Sequence, residues 1–420
     1  MNPQRPYRFI LRLILAMAAG VGIGIGAEAP WKVGTPIVTY WAGPPMTDAT
    51  AAQMAQGGWN LVWCGEKELP VAQRHGLRAQ LNDPLISPAS LDAATEREKL
   101  QALVARVKHH PALYSYFITD EPNTTNFAGL GKLVAFLREA DPAHLAYINL
   151  FPTYANNEQL GTKGDTVTAY REHLRQFIDT VHPALISYDH YQFTAHGDMP
   201  DYFLNLSLIR RAAQDAGLPF LNIVQAATWT HSMRVPTPDE MRYLVNTTLA
   251  YGAQGISYYV YSCVGHTGGI AQADGTPTPL YAALSTLNRE FAAIARELQP
   301  LTSLKVYHAG MLPPGAVALP ADAPFALDPA LAQSEFHPPS PAKGALLGYF
   351  GKQPGSTEKV RPTHVVVVNL DYQSPLSVNV RGPAKLQRFD PASGHWGGVG
   401  GKTAQLTLPP GGGALLSTRP

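Results

Sequence analysis

The sequence has little of what most binding chemistries require. Its 420 residues hold two cysteines, Cys64 and Cys263. Two thiols so far apart in sequence are ordinarily small buried hydrophobes rather than a disulfide framework. Cys and His occur nowhere at metal-ligand spacing, and no metal or other cofactor is expected. Charged residues make up 15% of the chain and the net charge is +1. With no basic run and no strong field, nucleic acid is not an expected partner. No glycine-rich fingerprint follows a strand-like run, which argues against a nucleotide-binding open sheet. A Gly-x-Ser-x-Gly elbow is also missing, so esterase and lyase readings lack their usual signs. Beyond the N-terminus no apolar stretch reaches membrane-spanning length.

What is present begins with an address. Arg5, Arg8 and Arg12 precede the apolar run Leu13 to Gly26, which gives way to Ala27-Glu28-Ala29. That order is the pattern of a secretory signal and predicts an exported protein, periplasmic or extracellular. Residues 1–29 are then a leader, or a membrane anchor if the segment is not removed. Residues 30–300 form a first domain and 301–420 a second.

From about residue 35 strand-like and helix-like segments alternate. The strand-like runs are Thr35 to Trp41, Asn60 to Cys64, Leu77 to Leu81, Ala112 to Asp120, Leu145 to Phe151, Ala184 to Tyr191, Pro219 to Gln225 and Gly255 to Tyr261. Helical spacing marks Leu91 to Lys108, with Ser90 as a cap, and Pro238 to Gly252, with Thr237 as a cap and Pro at the first position. Further helices are expected over Gly129 to Glu139, Asp165 to Val181, Tyr202 to Ala216 and Leu280 to Leu298. Such an alternation predicts a (β/α)8 TIM barrel. After Pro300 the helices stop, and short β-type runs between Pro and Gly clusters predict a small all-β sandwich. Residues 312–341, rich in Pro and Ala, read as a long loop.

In such a barrel, function sits at the C-terminal ends of the strands. The fourth run ends in two carboxylates, Asp120 and Glu121, with Pro122 behind them and Asn123 next. The other strand ends supply Trp41, Trp63, Asn149, Asp189, His190, Tyr191, Gln225, Trp229 and Tyr259. Aromatic faces stack on the apolar faces of sugar rings while amides and acids bind hydroxyls, so a carbohydrate is the expected partner. Trp41, Trp63 and Trp229 are the expected stacking platforms. Tyr114, Tyr116 and Tyr258 are expected to fill core.

The segment Ile118-Thr-Asp-Glu-Pro-Asn123 resembles the Asn-Glu-Pro or Asp-Glu-Pro motif of clan A glycoside hydrolases. The segments Thr237 to Arg242 and Leu249 to Tyr259 are similar to the last helix–strand unit of its β-galactosidase-like members. The resemblance implies that Glu121 is the general acid. It also implies a nucleophilic Glu at the end of strand seven, but that strand ends in Val224-Gln225-Ala226, with no acid before Asp239.

The best remaining partner is Asp189, at the end of strand six. Strands four and six are second neighbours, so their ends stand roughly 9 Å apart at a strand spacing of about 4.8 Å. The carboxyls can then reach the retaining separation of about 5–5.5 Å or, more easily, the inverting one of about 6.5–9.5 Å. A second reading pairs Asp120 with Glu121, as in substrate-assisted hexosaminidases. Neighbours on a regular strand face opposite ways, so that reading needs an irregular strand end. A third takes the missing strand-seven acid as the mark of a non-catalytic carbohydrate-binding protein. Asn123, Asn149, His190, Tyr191, Gln225 and Tyr259 are the expected hydroxyl-holding residues.

Overall fold

The computed structural model describes residues 36–352 and 361–418, so the expected leader lies outside the described residues. All the expected barrel strands form: β1 (Ile37–Trp41), β2 (Leu61–Cys64), β3 (Arg78–Leu81), β4 (Leu113–Asp120), β5 (Leu145–Leu150), β6 (Ile186–His190), β7 (Phe220–Gln225) and β8 (Gly255–Tyr259). Each is followed by a helix: α1 (Asp48–Gln56), α2 (Leu69–Arg74), α3 (Ala94–Val107), α4 (Phe127–Ala140), α5 (Thr166–Val181), α6 (Tyr202–Ala216), α7 (Pro238–Tyr251) and α8 (Pro279–Leu298). The strands are hydrogen-bonded in the parallel order β1–β8–β7–β6–β5–β4–β3–β2. Side chains help to close the seam between β1 and β2. Asn60 Oδ1 accepts the Val38 N–H at 2.8 Å, and Trp63 Nε1 donates to Tyr40 O at 2.7 Å.

The period-two alternation of each strand sorts its side chains. Ile37, Tyr147, Leu221 and Ile223 fill the barrel interior, while Val38, Tyr188 and Ile256 face the helices. Thr237 caps α7 as expected, its Oγ1 accepting the Glu240 N–H and the Glu240 carboxylate accepting the Thr237 N–H. Ser90 is not a cap. Pro88 opens a 3₁₀ turn over Pro88–Leu91, and α3 starts only at Ala94.

The chain continues as an antiparallel sandwich. Its strands are β9 (Thr302–Gly310), β10 (Gly344–Gly351), β11 (His364–Asn369), β12 (Leu376–Arg381), β13 (Gln387–Asp390), β14 (His395–Gly398), β15 (Thr403–Leu408) and β16 (Gly413–Ser417). One sheet runs β9–β10–β11–β16–β13–β14, and the other pairs β12 and β15 with the short strand Ala326–Leu327. Strand β11 reads Val365-Val-Val-Val368 without alternation because both of its faces are buried. Val365 and Val367 face the sandwich core, and Val366 and Val368 join the core shared with the barrel helices. Strand β10 rests so closely on α7 that a Cβ at Gly348 would stand 2.1 Å from Ala250 O. The fold is a (β/α)8 barrel followed by a β-sandwich.

Candidate active site

The end of β4 is irregular. Its pairing with β5 slips between Phe117 and Thr119, and Glu121 adopts a left-handed φ of 43°. A non-glycine residue in that region costs about 1–3 kcal/mol. Its N–H is held by Asn149 O at 2.9 Å. The irregularity brings both Asp120 and Glu121 to the wall of one pocket, where regular alternation would separate them.

Asp189 enters the same pocket from β6. Asn149 joins the acids, its Nδ2 donating to Asp120 Oδ1 at 3.0 Å and to Asp189 Oδ1 at 2.9 Å. Asn149 Oδ1 accepts from Ser187 Oγ at 3.0 Å, which leaves Tyr147 OH to donate to Ser187 at 2.7 Å. This chain of interior polar groups fixes Asn149 completely. Asn149, one of the expected substrate-binding residues, lines the pocket, and its amide holds two of the carboxylates.

Glu121 and Asp189 share the pocket closely enough that each acts on the other's titration. Two neighbouring carboxyls disfavour double ionisation. Burial first, then the charge of Asp120, pushes Glu121 up to about 7, partly offset by its bond to Asp189. Burial and the neighbouring Glu121 and Asp120 push Asp189 well above the carboxylate range. Burial also raises Asp120, against hydrogen bonds from Asn149 and the Glu121 N–H. The pair therefore retains one proton near neutrality and titrates as a unit.

The cavity, of about 430 Å³, is walled by Trp41, Tyr154, Tyr191, Trp229 and Tyr259. Tyr191, Trp229 and Tyr259 form a three-ring cluster with centroids 4.8–5.0 Å apart. Trp229 is 36% exposed, as a stacking platform must be. Trp63 stands behind this wall, edge-on to Trp41 at 5.0 Å.

Three other expected contacts face elsewhere. His190 follows Asp189 on the strand and so points to the helix layer, fully buried, its Nδ1 against Asn205 Oδ1 at 3.0 Å. Burial holds its imidazole down at about 4, neutral at working pH. Gln225 accepts from Phe193 N and donates to Phe193 O and Arg234 O, tying two mouth loops together. Asn123 caps the turn Thr124–Asn126 and donates to Glu158 O at 2.7 Å.

The pocket also has walls that strand-end reasoning could not find. Tyr154 comes from the loop after β5 and Gln159 from the short helix Asn157–Leu160 that follows it, Met199 from the loop after β6, and Thr230, Ser232 and Met233 from the loop after β7. Loops carry no periodicity, so only the folded chain places them. Among the described residues no group of three or more His, Cys, Asp or Glu side chains is arranged to hold a metal ion.

No family model and no curated protein matches the sequence. Solved structures do match the fold. A glycoside hydrolase superposes at a TM-score of 0.54 with 12% identity, over 92% of this chain and 96% of that one. A glycoside hydrolase family 5 protein from Bacteroides vulgatus gives 0.52 with 11% identity, over 90% and 88%. The chain shares its barrel fold with these two proteins. A β-galactosidase from the psychrophilic Marinomonas ef1 matches at 0.47 with 13% identity, over 66% of this chain and 62% of that one, so this chain spans less than two thirds of that enzyme's length.

Proposed function

We propose that this chain is an exported glycoside hydrolase that cleaves an O-glycosidic bond in oligo- or polysaccharides with the Glu121–Asp189 pair. The observation that carries the reading is the gathering of Glu121 and Asp189, carboxyls from different strands, in one pocket walled by aromatic rings. Export rests on the leader pattern of residues 1–29 alone.

Glu121, the less buried of the pair, passes the shared proton to the leaving oxygen as the C–O bond breaks. Asp189, ionised by that transfer, attacks the anomeric carbon and forms a glycosyl ester. Glu121, now a carboxylate, takes a proton from the water that hydrolyses the ester. The retaining route requires the two carboxyls about 5–5.5 Å apart. Trp41, Tyr191, Trp229 and Tyr259 stack on the substrate.

Glu121→Gln should lower kcat on any hydrolysed aryl glycoside by about 10²–10⁴ while leaving circular dichroism and Tm in place. Wild-type turnover by that variant would sink the assignment. Two other readings have an observation each. Gln225 stands where the clan A nucleophile would, and glycan binding with no product from the native chain would favour a non-catalytic carbohydrate-binding protein. Asp120 and Glu121 border one pocket, and turnover confined to N-acetylhexosaminides that survives Asp189→Asn would favour a substrate-assisted hexosaminidase.

A further inference from the structure

The carboxyls of the pocket have no cationic counterpart. Among the described residues no Lys, Arg or His lines the cavity. The groups acting on Asp120 and Glu121 are an amide, a backbone N–H and other carboxyls. In the flanking loops Arg234 is paired with Glu240, His266 stands beside Tyr259 with its Nε2 3.0 Å from the phenol oxygen, and His231, between Thr230 and Ser232, is exposed. With protons retained on Glu121 and Asp189, Asp120 is the carboxyl left to carry a negative charge with no cation beside it. Uncompensated charge at a low-dielectric site is unfavourable, and a ligand that brings the missing charge binds there with the greatest advantage.

Two independent features point the same way. Asp189 is 2% exposed, and its Oδ2 receives no N–H or hydroxyl donor. Tyr191, Trp229 and Tyr259 line the same pocket, and aromatic rings attract cations. In the hydrolytic reading Glu121 and Asp189 account for all bond making and breaking. Asp120 is then surplus to the chemistry, although Asn149 fixes it one hydrogen-bond step from Asp189.

Resting on the glycosidase reading, we propose that the substrate is an amino-sugar glycoside with an unacylated ammonium group, which pairs with Asp120 beside the bond that is cleaved. A neutral acetamido group would leave the carboxylate charge uncompensated. A uronate or a sulfated sugar would add to it.

The full chain is assayed at about pH 6, where a sugar amine is protonated. The probes are the α- and β-4-nitrophenyl glycosides of glucosamine and galactosamine, their N-acetyl and 2-hydroxy counterparts, and the glucuronide. The free-amine glycoside should exceed its matched counterparts in kcat/KM by about tenfold or more, with the glucuronide poorest. Asp120→Asn should collapse that amine-to-hydroxyl ratio towards unity. Equal or better turnover of a 2-hydroxy or N-acetyl glycoside overturns the proposal and leaves the glycosidase reading standing. If no glycoside is turned over, the glycosidase reading fails, and calorimetry with glucosamine against glucose still decides the charge preference. Equal affinities there overturn it.

Discussion

Asp141 and Asp189 are aspartates of nearly equal exposure, 3% and 2%, at opposite ends of the barrel strands. At the closed end, Asp141 Oδ2 accepts from Tyr116 OH at 2.6 Å and lies 2.7 Å from His144 Nδ1, while Oδ1 takes the Ala143 N–H. Burial alone would raise its pKa, but these partners outweigh burial and hold it below the ordinary value. At the open end, Asp189 has one amide donor and two acidic neighbours, and burial drives it far up. Burial therefore does not decide what a carboxylate does. The partners decide, and the under-partnered acid stands where chemistry is proposed.

The comparison breaks most sharply on substitution. Asp189→Asn removes like-charge repulsion and offers Glu121 an amide donor, so denaturant midpoints should hold or rise. Activity should fall by about 10²–10⁴, measured on the best glycoside. A variant that unfolds while retaining turnover per folded molecule would reverse the roles of the two aspartates. Asp141→Ala should do the opposite. It strands the Tyr116 hydroxyl and the His144 ring, which should cost about 3 kcal/mol in urea unfolding with turnover unchanged at low temperature.

Gln225 tests the intermediate case, a buried polar residue at the mouth with its partners complete. Gln225→Glu places an acid where the clan A nucleophile would stand, but the donors to Phe193 O and Arg234 O are lost. We expect about 2 kcal/mol of destabilisation and no gain in activity. A rise in turnover would mean that strand seven holds a vacated catalytic position rather than a brace.

The parts of this contrast differ in how far the sequence discloses them. The barrel strands are legible because β-branched and aromatic runs stop at Pro and Gly, and Asp120, Glu121 and Asp189 follow from where those runs stop. Helices α1 and α2 escape, the first because only Ala51 and Met54 are buried along it, the second because six residues hold no periodicity. Hairpin β13–β14 escapes too, since its exposed Gly-rich strand β14 lacks an alternating face. Within the site, alternation would already have turned His190 away from Asp189. It could not reveal that the Phe117–Thr119 slip brings Asp120 and Glu121 together, because a bulge depends on the neighbouring strand. The amide loyalties of Asn123, Asn149 and Gln225 are long-range contacts, invisible to any local window.

The smallest expected effect is on the pH dependence of stability, and it separates the two ends by sign. Glu121 has a folded pKa raised from 4.5 to about 7. Above 4.5 the unfolded chain releases that proton while the folded chain keeps it, so stability falls as pH rises towards 7. Asp141 is shifted downwards, so its contribution is present above the ordinary aspartate range and is lost as pH falls through its folded value. Unfolding free energies measured between about pH 4.5 and pH 7 should therefore carry a declining component from the open end. Glu121→Gln should flatten that component, whereas Asp141→Asn should leave it in place and remove the loss on the acid side. A decline that survives Glu121→Gln unchanged would show that Glu121 does not hold a proton in the folded chain over this range.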